Sequence, residues 1–150
     1  MTYARNGKVQ QYARIDTSAE VTGASPHRLV QLLMEGALEK IALARGFMER
    51  GNVAEKGRNI SLAISIIDGL RVSLDKEAGG EIASNLDDLY DYMGRRLLEA
   101  NLKNDAAMLE EVAGLLREIK TAWDAIPAEL REDSGRKEEC PDGPAVSVGA

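Results

Sequence analysis

The sequence predicts an all-α fold, an antiparallel four-helix bundle with a short N-terminal capping segment. Three observations predict it. The 150 residues are 44% hydrophobic, supplied by Leu, Ile, Ala and Met far more than by the six aromatic residues, and only four prolines interrupt them. That composition favours helices over many short strands. Apolar residues recur at helical spacing along four stretches of about 20 residues, each long enough for a helix of about 30 Å. Between those stretches stand cap and turn residues rather than long linkers. Four amphipathic helices with short connections cover one another's stripes when neighbours run antiparallel.

Three regions follow from the punctuation: a leader over residues 1–24, the bundle over 25–126 and a tail over 127–150. Ser25 is a good N-cap and Pro26 suits the first helical position, where its missing N–H costs nothing, so the first helix opens there and fades near Gly51. Its stripe is Leu29, Leu33, Ala37, Ile41, Ala44 and Met48. Asn52, with Glu55 three residues on, resembles a capping box and opens the second helix, which the 75–80 stretch closes. The third helix is expected from about Glu81, with Ile82, Leu86, Leu89, Met93, Leu97 and Ala100 inward. Asn104 and Asp105 turn the chain, and the fourth helix carries Met108, Val112, Leu115, Leu116, Ile119 and Trp123 until Pro127 prevents continuation.

One stretch has a competing period. Ile60, Leu62, Ile64 and Ile66 alternate with small residues as a strand would. The 3.6-residue period continues through Ile67, Leu70 and Leu74, and a lone strand would have no partner, so helix is preferred. The tail is acidic, with six carboxylates against three basic residues and few large apolar side chains. Such a segment cannot offset the entropy of ordering and is expected to be disordered.

The chemistry-bearing inventory is thin. A net charge of −6 supplies no basic stripe for nucleic acid. The lone Cys140 allows no internal disulfide, the first twenty residues are too polar for a signal peptide, and no run approaches the ~20 apolar residues of a membrane span. The expected location is therefore cytoplasmic. His27 is the only histidine, which rules out a di-iron bundle needing two Glu-x-x-His pairs. No Gly-rich phosphate loop occurs, and no cofactor, metal site or catalytic group is expected. In the first helical turn His27 reads as solvent-facing or partner-contacting; the enzyme-class alternative is a histidine phosphotransfer bundle using it.

What remains is surface. On the second helix Leu62 and Ile66 fall away from the main stripe, near Gly69 and Ser73, and form a shallow strip on which another helix can rest. On the third helix Tyr92 lies off the core arc near Asn85 and Arg96, and tyrosine and arginine are enriched where proteins bind. In the leader, Tyr12 and Ile15 are three apart on a possible helical turn that can dock on the bundle and cover a groove. A self-associating bundle whose apolar strip forms a homodimer is the structural rival.

The order of short motifs adds a resemblance. Tyr12, Ala24-Ser25-Pro26-His27-Arg28-Leu29 and Gly36-Ala37-Leu38 are followed by Gly79-Gly80-Glu81-Ile82-Ala83, Asn85-Leu86 and Leu89-Tyr90-Asp91-Tyr92-Met93. Glu99-Ala100-Asn101-Leu102, Glu111-Val112, Leu115-Leu116 and Trp123-Asp124-Ala125-Ile126 complete the series. In this order the chain resembles the FliS family of flagellin export chaperones across the leader and the whole body. The resemblance implies a cytoplasmic, non-enzymatic bundle, monomer or weak homodimer, that binds the C-terminal segment of flagellin, prevents its premature polymerisation and brings it to a flagellar export gate component. The residues expected to meet flagellin are Tyr12, Ile15, Leu62, Ile66, Tyr90, Tyr92 and Met93, with Tyr90 and Met93 also readable as plain core.

Overall fold

A computed structural model describes residues 24–131. Tyr12, Ile15 and Cys140 lie outside the described residues. Four long helices make up the body: α1 (Pro26–Glu49), α2 (Val53–Val72), α3 (Lys76–Lys103) and α4 (Ala106–Asp124). Each begins on a side-chain cap that satisfies an otherwise unpaired amide. Ser25 Oγ accepts from Arg28 N at 3.1 Å, and Asn52 Oδ1 from Glu55 N at 3.2 Å. Asp75 Oδ1 accepts from Ala78 N at 3.1 Å, and Asp105 Oδ1 from Ala107 N at 2.9 Å. The capping box at α2 is half made, because Glu55 turns to Arg58 at 3.2 Å. The Ile60–Ile66 stretch is helical.

The helices form a four-sided ring, α1 against α2, α2 against α3, α3 against α4 and α4 against α1. Cross-contacts fix the antiparallel sense. Lys56 near the start of α2 donates to Asn101 O near the end of α3 at 3.2 Å, while Arg71 near the end of α2 meets Asp87 of α3 at 2.8 Å. Arg45 meets Glu110 across α1 and α4 at 2.7 Å, and Arg96 meets Glu111 across α3 and α4 at 2.9 Å. Inside the ring Met34, Ile41, Ile60, Ile67, Leu97 and Leu116 belong to one continuous apolar cluster.

Three differences from the sequence reading have physical causes. Ile66 is buried, at 1% exposure, rather than part of an outer strip. Flanked by α1 on one side and α3 on the other, α2 buries a wider arc than one stripe, so Ile66 joins the core while Leu62 stays half-buried. Secondly, α3 does not wait for Glu81. Asp75 caps a first turn, and the axis breaks at Gly80, whose φ of 57° and ψ of −127° are open to glycine alone. Thirdly, Leu29 and Ile82 are exposed although both fit the periodic stripes; Leu29 lies in the first turn of α1 and Ile82 just past the break at Gly80, and the described residues leave both uncovered. Beyond Pro127, residues 128–131 make one more helical turn, tied back by Arg131 Nε to Ile126 O at 2.7 Å.

Candidate functional site

At one end of the bundle the start of α1, the end of α2, the first turns of α3 and the end of α4 surround an open cleft of about 560 Å³. Val30, Met34, Leu74, Leu86, Ile119 and Trp123 give it apolar walls, and Ser73 and Asp75 are its polar rim. The glycine pair shapes it. A Cβ on Gly79 would stand 2.7 Å from the Ala83 Cβ, so only glycine permits that approach, and Gly80 swings the first turn off the axis of α3. The deflection leaves Ile82 on the lip with 72% of its surface exposed.

Trp123 is held by an interlock with His27, 96 residues earlier. The two rings stack with centroids 4.8 Å apart and planes 8° from parallel. His27 Nε2 donates to Trp123 O at 2.8 Å, and Trp123 Nε1 donates to His27 O at 3.0 Å. His27 is therefore buried, at 6% exposure, and neither solvent-facing nor available to a phosphodonor through Nε2. A phosphotransfer histidine must present its ring to a second protein, so that alternative is not favoured. Beside the pair, Gln31 Nε2 donates to Asp124 Oδ1 at 2.6 Å and Lys120 meets Asp124 Oδ2 at 2.7 Å. Those two contacts and the nearby His27 lower the Asp124 carboxyl below its usual range, Lys120 first.

A charged clamp secures the opposite wall. Asp87 receives Arg71 at 2.8 Å and Lys76 at 3.0 Å, joining α2 and the deflected turn to the body of α3. The hydrogen bond from Arg71, then that from Lys76, hold its carboxyl down at about 2.

The sequence candidates separate by placement. Tyr90 lines the cleft, almost wholly buried, and desolvation pushes its phenol up to about 12. Met93, at 0% exposure, is core and offers no contact surface. Ile66 is sealed likewise. Tyr92 is half-buried in a brace between α3 and α4: its hydroxyl donates to Glu111 Oε2 at 2.5 Å, beneath the Arg96 guanidinium. That hydrogen bond raises the Tyr92 pKa. Sequence reasoning missed the cleft because Leu74, Leu86, Ile119 and Trp123 fit core periodicity. The Gly79-Gly80 pair was its one local signal.

Among the described residues no three His, Cys, Asp or Glu side chains converge as metal ligands would, and no helix is long and apolar enough to cross a membrane. The arrangement can bind an apolar segment. A family model described as flagellar protein FliS matches residues 8–130. The chain is 55% identical over 118 residues to flagellar secretion chaperone FliSB of Pseudomonas aeruginosa, covering 79% of this chain and 94% of that one. It is 51% identical over 125 residues to flagellar secretion chaperone FliS of Salmonella typhimurium, covering 83% and 92%. To the Bacillus subtilis protein of that name it is 36% identical over 116 residues, covering 77% and 86%.

Proposed function

The chain belongs to the FliS family, and from that premise we propose that it is a cytoplasmic, non-enzymatic export chaperone for flagellin. In this reading it binds flagellin's C-terminal segment, prevents premature polymerisation and delivers the subunit to a component of the flagellar export gate. The observation that carries it is the open apolar cleft at one end of the bundle, beside a continuous buried core. Exposed apolar concavities of this kind mark sites of association.

The physics fits an export client. A segment that builds an apolar helical seam in a filament is self-adhesive in solution, and a helix-sized groove covers the same face. The guest must order as it binds, and that costs about 2 to 5 kcal/mol or more of the gross interaction, which keeps the complex releasable without a nucleotide. Leader residues Tyr12 and Ile15 are proposed to cover the groove before the guest arrives. The half-buried Leu62 and the ring of Tyr92 are proposed as further contacts on the outer faces.

Co-purification with full-length flagellin, repeated with flagellin lacking its C-terminal segment, tests the reading. Capture of the first and loss of the second is the expected result. Equal capture of both, or of neither, overturns it.

A further inference from the structure

The cleft contains one polar group that the bundle leaves unused. Tyr90 is 97% buried, its ring forms part of the wall, and among the described residues its hydroxyl has no hydrogen-bond partner. Burial alone accounts for its raised pKa, with no hydrogen bond contributing. No described side-chain polar atom is both sealed from solvent and unpaired, so the Tyr90 oxygen is not fully sealed, and Tyr90 is one of the residues that line the cleft. The contrast with Tyr92 is instructive. Two residues away on the same helix, Tyr92 spends its hydroxyl on Glu111.

A neutral phenol is a donor that also accepts. In an apolar cleft that a guest fills, water is expelled, and a hydroxyl then left without a partner is costly. A guest that is apolar throughout leaves it so. A guest that brings an acceptor to that spot satisfies it, and short helices carry such acceptors, because the carbonyls of a last turn have no intrahelical partner.

We propose that Tyr90 is a specificity-determining residue of the cleft, its hydroxyl donating to an unpaired backbone carbonyl at the C-terminal end of a short apolar helix formed by the guest. The cleft thereby selects where along the guest a helix ends as well as its apolar character. This rests on the chaperone reading above, with flagellin's C-terminal segment as the guest.

Tyr90→Phe removes the oxygen and keeps the ring. Isothermal titration of flagellin's C-terminal peptide into the full-length wild-type and variant chains measures affinity, and thermal melting of the free chains measures stability. The expected result is about tenfold weaker binding with the melting temperature of the free chain unchanged or slightly raised. A purely structural tyrosine gives the opposite pattern. Equal or tighter binding by the variant, while the wild-type chain binds, overturns the inference alone. A lowered melting temperature of the free variant also overturns it, because the hydroxyl is then satisfied within the molecule. If the wild-type chain does not bind the peptide, the chaperone reading falls and this inference falls with it.

Discussion

Ile66 separates two descriptions of α2, one in which it belongs to an outer strip and one in which it is core. At 1% exposure it is a member of the continuous apolar cluster. Replacing it with Ala deletes three carbons, worth about 2.4 kcal/mol at ~0.8 kcal/mol per buried methylene. A cavity penalty adds to this because the surrounding helices relax only partly, bringing the expected loss to about 3 to 4 kcal/mol. For a domain of this size that is a fall in Tm of roughly 12 to 16 °C, a large share of a typical stability of about 5 to 15 kcal/mol. Urea unfolding followed by far-UV circular dichroism measures it, with an unchanged denaturant slope confirming that the folded-state contacts are responsible. Leu62→Ala, at a half-buried position, is the control and is expected to cost about 1 kcal/mol. An Ile66→Ala chain within about 0.5 kcal/mol of wild type would refute the packing described for α2.

His27→Ala removes the stack on Trp123 and the bond to its carbonyl, an expected loss of about 2 kcal/mol. Trp123 is the only tryptophan, so its emission should shift to the red as the ring is freed; unchanged emission and stability would contradict the interlock. Asp87→Asn tests the clamp through pH. Because the folded carboxyl lies at about 2 against an ordinary 3.8, its contribution is fully present above the ordinary value and disappears as pH falls through about 2. The stability gap between wild type and Asp87→Asn is therefore expected to be constant near neutrality and to close between those two values; a gap that persists at the acid end would show that the carboxylate charge is not its source. Gly80→Ala places a Cβ on a backbone conformation that L-residues avoid, at an expected cost of about 1 to 3 kcal/mol. It should also weaken flagellin-peptide binding, since the first turn of α3 must move; a variant as stable and as tightly binding as wild type would remove Gly80 from the construction of the cleft.

Much of the fold was legible because it is written locally. Ser25-Pro26 and Asn52 announce helix starts through side chains that reach only three residues along the chain, and a stripe such as Ile41, Ala44 and Met48 repeats with the helix itself. The site was far less legible. Periodicity identifies residues that turn away from water, but it does not tell whether a neighbour arrives to cover them. Ile66 and Ile82 therefore exchanged places, one sealed and the other left on a lip.

The sequence by itself determined an all-helical chain in four amphipathic pieces, the caps at Ser25 and Asn52, and the short motifs that mark the family, because each of these depends on residues within a turn or two of one another. Only the tertiary structure decided that His27 and Trp123 interlock, that Asp87 joins Arg71 to Lys76, and that Tyr90 stands in a cleft with a hydroxyl unpaired among the described residues. Those properties depend on where four helix ends meet, and the backbone break at Gly80 sets that meeting in three dimensions rather than through any spacing along the chain.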